Sequence, residues 1–442
     1  MMKSIIFGYF STIKNNDNFF FFCFVLAFML TINQVYSEDT IKSKESDNIL
    51  KWEHLSGSWG GVRTKLIENG LDFHFVYQGE LWRPTTGDIN KVTTDNYNFD
   101  ILLNTDLDKL IGWNGSRIFF HGIGNYGKNP ADNIGIRQGI SNIAAYPTWK
   151  IFELFLEQNF LDERISILFG LVDLNSQVDS KIVSKLFLNP SHGIGIDFGQ
   201  SGKNGPSIYP TTSLTLRTRF VPFDNFYMQF GVLDGIAGDP QNPKGTHVIL
   251  KKEDGLLVNA ETGYSKGCQS HELPGNEKCK NEFLTKLGFG LWYYTDSFNH
   301  LFSGVTNWGV YTFFEQEVYF EPGDYTQGLA LHGRIGVADD LVNQFNYFIG
   351  AAMVYTGLIP TRNFDETGIA IASGHNSYLY RLAKYEAIEK IDAFEHDIEF
   401  TYKFVLSPAI IIQPDIQYII SPSLLDKKET VLVFGTRLML IF

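Results

Sequence analysis

The chain is short of cysteine, of positive charge and of long apolar runs, and each shortage closes off a class of protein. Three cysteines in 442 residues, Cys23, Cys268 and Cys279, are too few for a disulfide framework to hold the fold. Lys and Arg number 36 against 49 Asp and Glu, a net charge of -13, which argues against nucleic acid as a partner. Past the first 30 residues no apolar stretch approaches the roughly 20 residues that a spanning helix needs. Enzyme signatures are missing too: the ten histidines are scattered, and neither His-Glu-x-x-His nor Gly-x-Ser-x-Gly occurs. The one phosphate-loop lookalike, Gly122 to Gly127 (GIGNYG), runs into Lys128 to Asn133 (KNPADN), which cannot open a helix. No catalytic residue, metal or cofactor is called for.

What the chain has in plenty is aromatic residues, 15% of the total, and 41 glycines. A mean hydropathy of -0.08 hides one kind of membrane protein. A β-barrel strand spans with about 9–11 residues, only every second one apolar, and girdles of aromatic side chains mark the two interfaces. From Leu71 onward the period is two. Leu71, Phe73, Phe75 and Tyr77 oppose Asp72, His74, Val76 and Gln78, and Tyr97, Phe99, Ile101 and Leu103 oppose Asn98, Asp100 and Asn104. The alternation returns at Phe152–Leu156, Ile165–Leu171, Leu214–Phe220, Leu287–Tyr293, Leu329–Val337, Phe345–Tyr355 and Ile412–Tyr418. Roughly 16 such segments predict an all-β, transmembrane antiparallel barrel over residues 71–442, an even number of strands closing without an edge.

The stretch Thr430 to Phe442 (TVLVFGTRLMLIF) alternates to its end. Leu432, Phe434, Thr436, Leu438, Leu440 and Phe442 suit lipid, while Gly435 and Arg437 suit water. A terminal aromatic on an apolar strand face is similar to the signal read by the outer-membrane assembly machinery, so Phe442 is expected to serve that contact. At the other end, Lys3 and Lys14 precede the apolar run Phe19 to Leu30, with Val35 and Ser37 as small residues beyond it, which predicts a signal peptide over residues 1–37. Residues 38–70 form an N-terminal periplasmic segment. Within it Ser58 can cap a short helix whose stripe is Val62, Leu66 and Ile67 and whose stop is Gly70.

Short turns at Lys109–Asn114, Asp162–Glu163, Pro222–Asn225 and Leu406–Pro408 are assigned to the periplasmic side. Longer stretches at 83–95, 125–148, 173–210, 235–254, 265–282, 357–374 and 421–429 are assigned to the outer side or the lumen. Residues 173–210 are too long for a plain connection and are expected to narrow the pore, with Lys181 and Lys185 open to solvent. Cys268 and Cys279 bracket a polar segment (CQSHELPGNEKC) and are expected to form a loop disulfide; a metal site with His271 is the alternative, short of a fourth ligand.

Several blocks, in order, resemble one family, the carbohydrate-selective porins of the OprB type. They are LSGSWGGVRTKLIENGLDF (Leu55–Phe73), WKIFELFLEQNFLDERISILFGLVDLNS (Trp149–Ser176), LFLNPSHGIG (Leu186–Gly195), GVLDGIAGDPQNP (Gly231–Pro243), KLGFGLWYYTDSF (Lys286–Phe298), PAIIIQPDIQYIISP (Pro408–Pro422) and GTRLMLIF (Gly435–Phe442). The resemblance implies a 16-stranded barrel in the bacterial outer membrane, its periplasmic mouth partly covered by the N-terminal helix, that passes monosaccharides such as glucose by passive diffusion, as a monomer or homotrimer. The Cys268–Cys279 segment and the first loop (RPTTGDINKVTTDN) depart from the family pattern.

A sugar pore needs aromatic faces for CH surfaces and paired donors and acceptors for hydroxyls, each contact weak. On polar strand faces and the long loop the candidates are Glu80, Trp82, Arg117, Glu153, Glu157, Asp173, Asn175, Arg217, Arg219, Glu399, Gln417 and Arg437. Arg217 and Arg219 would form a basic wall, with carboxylates across the lumen. Trp82 and Trp292 read equally as sugar platforms or as girdle aromatics, and Glu157, Gln417 and Arg437 read more readily as networks bracing the barrel wall than as solute contacts. Two other functions share the architecture, a general or anion-preferring porin and a barrel-anchored receptor or adhesin; the second would need a passenger that these loops do not supply.

Overall fold

The computed structural model describes residues 52–267, 283–298, 305–386, 391–424 and 429–442. Sixteen antiparallel strands follow the alternation. The first eight are β1 (Leu71–Pro84), β2 (Thr94–Asp106), β3 (Ser116–Gly127), β4 (Thr148–Phe160), β5 (Ile165–Val172), β6 (Ser213–Phe223), β7 (Phe226–Asp234) and β8 (Leu256–Lys266). The second eight are β9 (Thr285–Phe298), β10 (Val305–Glu321), β11 (Asp324–Ala338), β12 (Phe345–Thr356), β13 (Glu366–Asn376), β14 (Phe394–Ser407), β15 (Ile410–Ile420) and β16 (Thr430–Ile441). Each pairs with its neighbours in sequence, and β1 pairs with β16, with Glu80 opposite Arg437, so the sheet closes. Closure satisfies every ladder group and abolishes the edge.

The two faces divide as the period dictates. Phe169, Phe230, Leu287, Phe289, Ile335, Ile349, Phe400 and Phe434 are exposed on the outer face. Their strand neighbours point inward, and there the lumen departs from a plain water-filled tube. The second loop (residues 128–147) and the third (residues 173–212) fold into it and bury apolar clusters against the wall. One joins Leu174, Val178, Ile194 and Phe198 to Trp292, Tyr294, Tyr311 and Phe313. Another joins Ile134, Ile136, Ile140 and Leu188 to Trp82 and Val433. These contacts supply the hydrophobic free energy that holds otherwise polar loops inside.

Helix α1 (Val62–Glu68) begins at Gly61, left-handed at φ 90°, and Ser58 gives it no side-chain cap. Arg63 donates from Nη2 to the Phe442 carbonyl at 2.8 Å, and the Leu55 amide donates to Ile441, so this segment sits on the β1–β16 seam. Two longer helices are α2 (Leu107–Ile111), capped by Asp106 and overlapping an expected turn, and α3 (Tyr378–Glu386), and single helical turns stand at Leu174–Gln177 and Ile196–Gly199 in the expected long loop.

Rim assignment corrects two of the long stretches. In an antiparallel barrel alternate connections share a rim whatever their length, so the chain leaving β8 and entering β9 lies on the same side as the turns after β4 and β6. β8 therefore ends and β9 begins on the rim of the short turns. Residues 357–365 lie on that rim as well, while 366–374 are part of β13. The Cys268–Cys279 pairing and His271 lie outside the described residues.

Candidate permeation site

The third loop is a chain of capped turns. Asp173 accepts from the Asn175 amide at the start of a helical turn, and Asn189 accepts from the Ser191 amide at the start of the next. Such turns leave amides pointing outward, and the wall supplies acceptors for them. Glu153 takes the amide of Asp173, Glu261 that of Asp179, Glu315 those of Ile182 and Val183, and Glu399 those of Leu188 and Asn189. Charge-assisted bonds from consecutive amides to one carboxylate are among the stronger neutral-to-charged contacts available. Between these pins, Arg334 donates from Nε to Asp179 at 2.7 Å and from Nη1 to Asp197 at 2.6 Å, and Lys181 donates to Asp179 at 2.6 Å, all of them buried. Lys181 is thus a buried partner in this lock and not a solvated side chain. Burial pulls its ammonium below the usual lysine range, with Asp179 acting against that shift. Lys185 is exposed.

The second loop is held in the same way. Glu395 accepts from the amides of Arg137, Gln138 and Ser423, and Gln417 donates from Nε2 to the Ile140 carbonyl at 2.9 Å. Glu80 gathers Arg437 Nε at 2.6 Å, Trp82 Nε1 at 2.8 Å, Asn96 Nδ2 at 2.8 Å and Ser141 Oγ at 2.6 Å. Arg437 continues to Asn142 Oδ1 at 2.6 Å. Glu80, Trp82, Glu399, Gln417 and Arg437 therefore converge on loop attachment. Trp82 and Trp292, each 1% exposed, are neither girdle aromatics nor open platforms: Trp82 fills space over Gly435, where any Cβ would strike its ring, and Trp292 stacks on Phe198 at 4.9 Å.

The charges expected on opposite walls are on one. Glu157 accepts from Arg117 Nε at 2.6 Å and from Arg217 Nη2 at 2.7 Å, and Arg217 also donates to Ser166 Oγ and Gln177 Oε1. Arg217, 5% exposed, is spent on this ladder and gives no open basic face, because a buried guanidinium needs its counterion adjacent. Arg219 lies 4.5 Å over the Tyr227 ring. Glu153 also faces His121 Nδ1 at 3.4 Å, and His121 Nε2 lies 2.9 Å from Asp100.

Where the second and third loops meet, a cavity of about 340 Å³ is left. Asp173, Asn175, Ser184, Lys185, Asn142 and Tyr209 bring polar groups to it, and Phe187 and Ile194 bring apolar surface. Burial and the Glu153 carboxylate raise the Asp173 carboxyl above the usual range. Tyr209 is fixed by donating to Asn125 Oδ1 at 2.6 Å. Toward the loop-bearing rim a second cavity of about 400 Å³ is lined by Arg137, Gln200, Lys203, Asn307, Asn343, Gln344 and Tyr380. Of the sequence candidates only Asp173 and Asn175 border the inner cavity. Asn142, Ser184, Phe187 and Tyr209 carry no signal in the sequence beyond the length of the two loops. Among the described residues no three His, Cys, Asp or Glu side chains are grouped to hold a metal ion.

The model of the carbohydrate-selective porin, OprB family, matches residues 92–442. Porin B of Pseudomonas aeruginosa is 24% identical over 423 residues, covering 89% of this chain and 91% of its own. The high-pH structure of Pseudomonas putida OprB superposes with a TM-score of 0.78 at 20% identity, covering 90% of this chain and 100% of that one. The outer-membrane channel DcaP of Acinetobacter baumannii shares the fold more distantly, with a TM-score of 0.52 at 9% identity over 84% of this chain and 97% of its own.

Proposed function

This chain belongs to the carbohydrate-selective porin family OprB and is an outer-membrane channel, and from that premise we propose that monosaccharides, glucose among them, pass through the cavity between its second and third loops. The single observation that carries the reading is the composition of that cavity. Neutral donors and acceptors (Asn142, Asn175, Ser184, Tyr209) stand beside apolar surface from Phe187 and Ile194, the mixture a sugar ring needs when it exchanges water for protein. A single lysine, Lys185, stands with a single carboxyl, Asp173, so the lining carries no cluster of like charge to favour an anion. The N-terminal segment and the short turns face the periplasm in this reading, and Phe442 offers the assembly machinery its terminal aromatic.

Purified protein in liposomes is expected to admit glucose faster than an uncharged non-sugar of equal size. Equal rates would remove sugar selectivity and leave a general pore. In planar bilayers, Asn142→Ala with Tyr209→Phe should weaken sugar block of single-channel current several-fold, whereas Arg217→Ala with Arg219→Ala should change it little, because Arg217 is tied to Glu157 away from the cavity.

A further inference from the structure

One strip of the outer wall, where β12, β13 and β14 reach the loop-bearing rim, takes no part in permeation. Along these strands Ile349, Ile369, Ile371 and Phe400 are exposed, and Tyr347, Ser373, His375, Phe394 and His396 share their outward parity. Toward the rim the aliphatic surface gives way to a run of rings. Tyr347 and His375 stack at 4.3 Å and 12°, His375 meets Phe394 at 4.8 Å edge-on, and Phe394 stacks on His396 at 5.4 Å and 7°. Each imidazole is oriented through Nδ1, His375 by Asn346 Oδ1 at 2.6 Å and His396 by Ser373 Oγ at 2.7 Å. His375 donates its Nδ1–H to Asn346, which leaves Nε2 as an acceptor able to take the P–OH hydrogen of a phosphate monoester. A girdle of tyrosine and phenylalanine would need no such imidazoles.

The chain then turns into α3, which rises from the same place. Tyr378 and Leu382, one turn apart, are 62% and 40% exposed. Arg381 lies between them, near enough for its charge to act on the His375 ring. Its Nε is buried without a hydrogen-bond partner, and it makes no ion pair among the described residues. A guanidinium with no ion pair among the described residues, beside the His375 imidazole and on a short helix that exposes Tyr378 and Leu382, is complementary to an anion held at the membrane surface.

We infer that this strip is a docking site for a lipid of the outer leaflet whose headgroup carries phosphate. Its acyl chains run down the aliphatic surface of Ile349 and Ile371, and its phosphate meets Arg381 and His375 at the rim. The site lies outside the barrel and goes beyond the transport reading. Continuity with the lipid-facing wall favours a membrane lipid over a soluble anion, since only a lipid uses both halves of the strip.

The test uses the full-length folded protein in uncharged detergent micelles, titrated with a fluorescent diphosphorylated glucosamine lipid and read by anisotropy. Arg381→Gln and His375→Gln are each expected to weaken binding at least fivefold, and Arg381→Lys to restore it to within twofold of the wild type. Single-channel conductance and heat-modifiable mobility of the variants should match the wild type, which separates this result from any failure of transport or folding. Equal affinity for the dephosphorylated lipid, competition by inorganic phosphate at equal concentration, or unchanged binding in Arg381→Gln would each overturn the assignment.

Discussion

Carboxylates on two stretches of the same inner wall do different work. On β8, β10 and β14, Glu261, Glu315 and Glu399 accept backbone amides from the third loop, while on β4 Glu157 accepts from Arg117 on adjacent β3 and from Arg217 on β6, across β5. Both sets are nearly inaccessible, and both face inward on a two-residue period, so a reader of the sequence meets one class of residue. The difference lies in what is opposite. An incoming loop presents peptide groups to the first set, whereas Glu157 meets the wall's own side chains, the loop reaching that ladder through the Gln177 side chain on Arg217. Loop attachment and wall bracing are therefore separable, and substitutions can tell them apart.

The largest effect is expected at the lock. Arg334→Leu leaves Asp179 and Asp197 buried without their guanidinium, which should cost about 3–5 kcal/mol and raise single-channel conductance as the third loop leaves the lumen. Chemical unfolding and bilayer recording read the two consequences; conductance at the wild-type level would break the distinction between attachment and bracing. Trp82→Ala should lose a comparable amount, about 3–5 kcal/mol, by emptying the space over Gly435, yet leave the half-saturation for sugar block of current within twofold. A large change in block would return Trp82 to the permeation path.

Smaller and more diagnostic is Glu399→Ala. It leaves the Leu188 and Asn189 amides without their acceptor, about 1–3 kcal/mol, and should make open-channel current noisier, whereas Glu157→Ala should leave the noise unchanged. His192 adds a pH dependence to the same attachment. Burial and the Lys181 ammonium hold its imidazole at about 3 instead of 6.5. Its Nε2 lies 3.9 Å from Glu399, beyond hydrogen-bond reach; the Phe187 ring is 5.1 Å away, and His192 in turn acts on the His332 ring. Because the docked loop binds the proton less well than the released one, its contribution is complete above pH 6.5 and falls by about 1.4 kcal/mol per pH unit below it, down to about pH 3. The measured slope of loop stability against pH should flatten in His192→Gln; the same slope in both proteins would assign the dependence elsewhere. Smallest of all, Arg117→Ala removes the 44% exposed end of the Glu157 ladder and should change stability by less than about 1 kcal/mol in urea titration.

The barrel was legible because its pattern is local. Leu432 to Phe442 alternate whatever happens elsewhere, and a pattern repeated around the chain fixes strand number and the lipid face. The rims were half legible, since length suggested a side for 265–282 and 357–374 where only the order of strands decides it. Inside the lumen the reading failed wherever a partner is distant in sequence. Arg334 stands 155 residues from Asp179 and 137 from Asp197, and nothing near any of the three announces the lock. Trp82 reads as a surface aromatic until Ile134, Ile136 and Leu188 are brought over it. Arg217 and Arg219, adjacent on one face, suggested an open basic wall because Glu157 lies 60 residues away from Arg217 in the chain.

The amide-gripping carboxylates have a consequence for how this channel can change. Glu399, Glu315 and Glu261 recognise the peptide linkage, which every residue but proline supplies in the same form. Side chains of the loop that take no part in its own bonds can then be exchanged without loosening the segment that displays them. Recognition of solute and mooring of the constriction are written in separate alphabets, so specificity can drift while the gate keeps its place.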